Sequence, residues 1–252
     1  NLDIILDNII WPSLVDMAVS PSDICLNSLI LNDSGTGGDI NISAPDIIKK
    51  ILELDFFNGL FIHLVSSGLE ENENLFSQPY DWRLDLSVTS KGLKEKIDGI
   101  KSQSGAEKVD LIVHSMGGLL VKKYLKDYGG DSIGKLIFVG TPHTGSPKAF
   151  KILTYGDNMG IEKEGINILN PDRIKIISQN MPSVYQLLPS PLYGNYLYDL
   201  DDLDGNSVRG SLSYLETKDF MKNTGRNSLL VDRADTFHQE IDSLNPSDYG
   251  VK

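Results

Sequence analysis

The stretch that most restricts what this chain can fold into runs from residue 108 to residue 140. Val109-Asp-Leu-Ile-Val113 is a short β-branched run of the kind found in buried parallel strands. It passes directly into His114-Ser-Met-Gly-Gly118 and then into a helical segment whose apolar side includes Leu119, Leu120, Tyr124, Leu125 and Tyr128. Gly129-Gly130 stops that helix, and Lys135-Leu-Ile-Phe-Val139 reads as the next strand. Strand, tight turn, helix and strand form a βαβ unit, so the sheet is expected to be at least partly parallel.

The rest of the chain is arranged around that unit. Residues 1–42 read as irregular, with an apolar cluster at Ile9, Ile10 and Trp11 and a loop at Ser34-Gly-Thr-Gly-Gly38. A helix is expected from Pro45, with Ser43 as N-cap and Ile47, Ile48, Ile51 and Leu52 on one face. Gly59-Leu-Phe-Ile-His-Leu-Val65 reads as a buried strand or a sheet edge, and Leu93, Ile97 and Ile100 mark a helix over about 90–103. From about residue 155 the strand signal gives way to short helices and loops, read as a cap over the sheet. The expected division is a core over 1–154 with a lid-like N-terminal segment, and a cap over 155–252.

Ser115 is the candidate reactive group. A serine hydroxyl is a weak nucleophile until a base stands beside it and donors face the developing oxyanion. One structural solution is the sharp strand-to-helix turn G-x-S-x-G, with small residues flanking the serine. Here the turn is Val113-His114-Ser115-Met116-Gly117, with strand before and helix after; Val113 replaces the first glycine, and Gly117-Gly118 keeps the other side permissive. In such a turn the Met116 N–H lies at a helix N-terminus and is an oxyanion donor. The plainer reading is a serine that caps a helix.

Three further segments flank this turn: Gln78-Pro-Tyr-Asp-Trp-Arg83 upstream, Gly140-Thr-Pro-His-Thr-Gly-Ser-Pro147 after the second strand, and Asn180-Met-Pro-Ser-Val-Tyr-Gln-Leu-Leu-Pro189 further on. In this order and spacing, over roughly residues 45–190, the chain resembles the lecithin:cholesterol acyltransferase family, including its bacterial lipase-like members. The resemblance implies an α/β-hydrolase fold, a mostly parallel central sheet with a helical cap, and action on lipid acyl esters. Ser115 would be acylated and would pass the acyl group to water or to an alcohol. Asp81 and Arg83 can pair and Trp82 can contribute buried area, so Tyr80-Asp-Trp-Arg83 reads as architecture, with Tyr80 or Trp82 also able to line a substrate site. His143 reads as a loop histidine, His114 as a packing residue, and His63 has no functional case.

A serine triad also needs a histidine and an acid. The family's pattern places both after a later strand, in segments that residues 1–252 do not contain, as with the second oxyanion loop. The chain is therefore read as an excerpt of the full domain, with an internal completion by His238 and Asp232 or Asp235 as the competing option. Leu230, Ala234, Phe237 and Ile241 put that segment on one amphipathic helix, on which His238 is expected to be solvated or capping. Asp199-Leu-Asp-Asp-Leu-Asp-Gly205 fails calcium-loop spacing and reads as a solvated acidic loop. Leu187, Leu188, Leu192, Tyr193 and Tyr196 read either as an apolar acyl site or as the core of the cap.

Composition narrows the partners. The net charge of −12 disfavours nucleic acid and simple adhesion to anionic membranes, while a lipid or other acyl-ester substrate can still enter through an apolar patch with transient contact at a lipid surface. Cys25 is the only cysteine, and the four histidines are dispersed, so neither a disulfide, a metal site nor a cofactor is expected. An extracellular or cell-envelope location is the working expectation. The alternative function is a catalytically inactive α/β-hydrolase-like module that binds a lipid or a protein.

Overall fold

The computed structural model describes residues 24–37, 42–51, 54–158, 162–163, 166–167, 170–201, 203, 205 and 210–252. The apolar cluster at Ile9, Ile10 and Trp11, and with it most of the lid-like segment, lies outside the described residues. The elements in chain order are β1 (Lys50–Ile51), β2 (Leu54–Asp55), α1 (Asn58–Ser66), α2 (Leu86–Ser104), β3 (Val109–His114), α3 (Gly117–Tyr128), β4 (Ile133–Val139) and α4 (Pro147–Tyr155). There follow β5 (Glu162–Lys163), β6 (Ile166–Asn167), α5 (Pro171–Ser178), α6 (Pro182–Gln186), β7 (Leu197–Asp199), β8 (Gly210–Leu212), α7 (Tyr214–Asn223) and α8 (Ser228–Ile241). The architecture is mixed α/β.

The central unit pairs as its sequence predicts, but its strands are not buried on both sides: Ile112 on β3 and Ile137 on β4 are exposed. β3 and β4 pair in parallel, with Leu111 opposite Leu136 and His114 opposite Val139. α3 connects them and ends at Gly129, whose φ of +76° suits glycine. Gly118 to Leu125 are all buried, because α3 lies between β3 and β4, α2 and α8. The edge of β4 away from β3 is also engaged at one point. The Lys252 N–H donates to the Gly134 carbonyl at 3.1 Å and the Leu136 N–H to the Lys252 carbonyl at 2.9 Å, the pattern of a parallel bridge. β1–β2, β5–β6 and β7–β8 are short antiparallel pairs. A larger, mostly parallel sheet is not part of what the described residues form.

Two hydrophobic clusters fill the interior. One holds Leu86, Leu93 and Ile97 of α2, the apolar side of α3, Ile133, and Phe237 and Ile241 of α8. The other gathers α4, α5, α6 and α7 with Leu26, Leu29 and Leu31 and with Leu230, Val231 and Ala234. The successive turns of α8 thus serve both clusters.

Two local expectations are corrected. Residues 42–49 form no helix from Pro45; the chain there is irregular and leads into β1, and the Lys49 carbonyl accepts the N–H groups of Phe56, Phe57 and Asn58 at 3.0–3.1 Å. The run from Gly59 to Val65 lies in a helix, α1, and not in a strand. Asp55 decides this: its carboxylate accepts the Gly59 N–H at 3.1 Å, satisfying a donor of the first turn. A continuous apolar run does not by itself distinguish strand from helix.

Candidate active site

Ser115 stands where β3 turns into α3, and its backbone takes φ +51°. Ser115 and Asn72 are the non-glycine residues with positive φ among those described. An L-residue held there carries strain of about 1–3 kcal/mol, which the surroundings must impose. They do so through the Ser115 N–H, which donates to the Val139 carbonyl at 2.9 Å and continues the parallel ladder, and through the Ser115 carbonyl, which accepts the Gly118 N–H at 3.0 Å. The serine is half-buried and lines a cleft of about 2050 Å³, together with Met116, His114, Phe57, Tyr80 and Trp82. Among the described residues its hydroxyl has no hydrogen-bond partner. Met116 is the N-cap of α3, and its carbonyl accepts the N–H groups of Leu119 and Leu120. Its own N–H meets no acceptor among the described residues, and the helix dipole favours a negative charge there.

Val113, in place of the pattern's first glycine, is accommodated. Its Cβ lies 3.9 Å from a Cβ built on Gly117, an ordinary contact. The crowding falls on Gly118 instead, where a Cβ would come within 2.2 Å of Thr141 Oγ1. The β4–α4 loop therefore presses against the first turn of α3, and only glycine fits beneath it. Thr141 Oγ1 is buried without a hydrogen-bond partner among the described residues.

The three flanking segments interlock. Arg83, 3% exposed, grips Asp81 with two hydrogen bonds, Nε–Oδ1 at 2.9 Å and Nη2–Oδ2 at 2.6 Å. The Ser183 hydroxyl donates to the Trp82 carbonyl. Gln186 accepts the Leu86 N–H at 2.9 Å and donates to Asp85 at 2.8 Å. On the other side the Ser146 N–H donates to the Leu187 carbonyl at 2.7 Å, and the Ser190 N–H to the Thr144 carbonyl at 2.9 Å. At Gly145, φ +88°, a Cβ would come within 2.2 Å of the Leu188 carbonyl oxygen. Tyr185 is fully buried and its hydroxyl donates to the Gln179 carbonyl. Burial pushes its hydroxyl up to about 12, and does the same for Tyr80, so both remain neutral near pH 7.

The histidines divide differently from the expectation. His114 faces Phe57 edge-on and His143 packs against Phe138, with ring centroids 5.6 and 4.8 Å apart. Burial, with a smaller push from the charge of Lys122, lowers the pKa of His143. His238 is neither solvated nor a surface cap. It is 2% exposed, and its Nδ1 lies 2.8 Å from Asp242 Oδ1. The option that pairs it with Asp232 or Asp235 is corrected: Asp232 bonds Lys222, and Asp235 bonds Lys218 and Tyr214. The i,i+4 spacing of His238 and Asp242 was the overlooked signal. Lys122, 3% exposed, donates to the Asp242 carbonyl at 3.4 Å, and its neighbour Lys123 bridges Asp127 and Glu240. Among the described residues none of the four histidines hydrogen-bonds Ser115.

All three segments lie within residues 44–244, which match a known protein family. Lecithin-cholesterol acyltransferase-like 4 of Arabidopsis thaliana is 30% identical over 113 residues, 43% of this chain and 21% of the relative. Phospholipase A(1) LCAT3 of the same plant is 28% identical over 183 residues, 68% of this chain and 40% of the relative. Chicken (Gallus gallus) phosphatidylcholine-sterol acyltransferase is 29% identical over 158 residues, 57% of this chain and 38% of the relative. The chain thus spans 21–40% of the length of these relatives. The family profile of lecithin:cholesterol acyltransferase matches residues 44–244, more than half of the sequence, and the chain belongs to that family.

Proposed function

We propose that the protein is a serine-dependent lipid esterase or acyltransferase of the α/β-hydrolase kind and that Ser115 is its nucleophile. The observation that carries this reading is the Ser115 backbone at φ +51° on the turn between a parallel strand and a helix, with its hydroxyl unpartnered on a cleft. In the first step Ser115 Oγ attacks the ester carbonyl carbon, and its proton passes to a base. The tetrahedral oxyanion takes the Met116 N–H at the α3 N-terminus. The C–O bond then breaks, the alcohol leaves with a proton, and the acyl group stays on Ser115. Water or a second alcohol attacks the acyl-enzyme and restores the hydroxyl. The reading assigns the base to none of the described histidines.

The same proposal carries the division into a core over 1–154 and a cap over 155–252, with α8 tying the two through its contacts with both α3 and α6. The bridge from Lys252 to β4 supports a parallel sheet extending beyond β3 and β4. The substrate is taken to be a lipid acyl ester, in keeping with relatives named as a phospholipase and as acyltransferases. Turnover of p-nitrophenyl butyrate by the full-length protein tests the reading. Ser115→Ala is expected to lower it at least about a thousandfold. Unchanged turnover in Ser115→Ala would sink the serine mechanism, and no turnover by the parent protein would favour a binding module.

A further inference from the structure

Two tyrosines of the flanking segments share an environment and differ in their bonding. Tyr185 is fully buried, Tyr80 is half-buried, and burial pushes both hydroxyls up to about 12, so each is a neutral donor near pH 7. The Tyr185 hydroxyl is satisfied twice: it donates to the Gln179 carbonyl at 2.8 Å and accepts the Asn227 N–H at 3.1 Å. The Tyr80 hydroxyl has no hydrogen-bond partner among the described residues. A polar group drawn out of water without a partner costs stability, so an unmade bond there needs a cause.

The neighbours of Tyr80 supply no partner and hold it in place. Gln78 Nε2 donates to the Pro79 carbonyl at 3.1 Å, and Arg83 bonds Asp81 and the Ser28 carbonyl. The Ser183 hydroxyl pins the Trp82 carbonyl. The Tyr80 ring packs against the same apolar cluster as Val113 and Met116, which flank the elbow. Its hydroxyl is therefore positioned before any ligand arrives, which lowers the cost of binding through it.

That position is on the cleft of Ser115. Tyr80, Phe57, Met116 and Ser115 all border it. A few fixed polar groups on an apolar wall set the orientation of a ligand. A phenol that stays neutral donates a hydrogen bond but neither takes a proton nor balances a full charge, and Arg83, the cation of the same segment, is already paired with Asp81. The combination suits an uncharged acceptor, such as an ester oxygen, above an anion. We propose that the Tyr80 hydroxyl donates a hydrogen bond to an oxygen of the substrate's ester group. This makes Tyr80 a substrate-binding residue, and it rests on the reading of Ser115 as an esterase nucleophile.

The test uses the full-length protein and p-nitrophenyl butyrate. Tyr80→Phe is expected to lower kcat/KM at least about fivefold, because the ester oxygen loses its donor. Its melting temperature should not fall, since the hydroxyl has no bond within the protein to lose. Tyr185→Phe, which gives up two bonds, should melt lower. A kcat/KM within about twofold of the parent overturns the proposal. So does a drop in melting temperature as large as that of Tyr185→Phe, which would make the effect structural. Failure of the serine reading is recognised separately: if Ser115→Ala turns the ester over as its parent does, the Tyr80→Phe comparison is made on that turnover. If the parent shows no turnover, the Kd of the intact ester is measured by isothermal titration. Tyr80→Phe is then expected to weaken binding at least about fivefold, and equal binding, or none by the parent, overturns the proposal.

Discussion

At the elbow, Ser115 holds a positive φ, its hydroxyl lacks a partner among the described residues, and the neighbouring Thr141 Oγ1 is buried and unpaired. The interlock of 78–86, 144–147 and 180–190 behaves in the opposite way. There Arg83, Ser183 and Gln186, each 3% exposed or less, find partners in Asp81, Trp82 and Leu86. Unpaired polar groups and backbone strain lower stability, and they persist where a site must meet something not yet bound. Paired buried groups fix one geometry. The signature segments of this family thus divide into a strained turn proposed to react and a hydrogen-bonded frame that holds the turn.

Mutations at the two regions should therefore move stability in opposite directions. The largest effect is expected in the frame. Arg83→Met takes both guanidinium bonds from the Asp81 carboxylate, which keeps only the backbone N–H of residue 83, and removes the Arg83 donor of the Ser28 carbonyl; it should lower unfolding free energy by about 3 kcal/mol in urea denaturation. A loss below about 1 kcal/mol would break the comparison. Gln186→Leu keeps the volume but strands the Leu86 N–H, and should lower stability by about 2 kcal/mol. At the elbow the sign reverses. Ser115→Gly should raise stability by about 1 kcal/mol, because glycine adopts positive φ freely, while ester turnover disappears.

The smallest effect concerns acid. Burial alone would raise the pKa of Asp235, but its hydrogen bonds with Lys218 and Tyr214 outweigh burial and hold it below the usual carboxylate range. A carboxylate whose folded pKa is depressed stabilises the fold above its unfolded value, near 4, and that contribution is lost as pH falls through the folded value. The melting temperature should therefore drop below about pH 4, and Asp235→Asn should flatten that drop. An equal drop in the variant would remove Asp235 from the account.

What the sequence made legible follows from how local the cause is. β3, the turn, α3 and β4 are readable because a β-branched run, a serine followed by Gly117-Gly118 and an apolar helical face each act over a few residues. The Asp81–Arg83 pair is readable for the same reason. The run from Gly59 to Val65 misleads because its helix is settled by Asp55, outside the apolar pattern. The burial of His238 depends on α8 lying against α3, and the exposure of Leu192 and Tyr193 on which face of the 191–203 segment is covered. Both are tertiary facts that periodicity does not carry. Val113 looked like a defect of the turn, yet the demand for glycine had moved to Gly118, where Thr141 stands.

The most direct test of the central claim is to treat the full-length protein with a fluorophosphonate probe and map the adduct by peptide mass spectrometry. Such a probe reports a serine that is already activated, whatever its substrate. The account predicts a single adduct on Ser115, absent from Ser115→Ala and retained in Gln186→Leu below its melting temperature. An adduct on another serine, or none at all on a folded full-length protein, would contradict it.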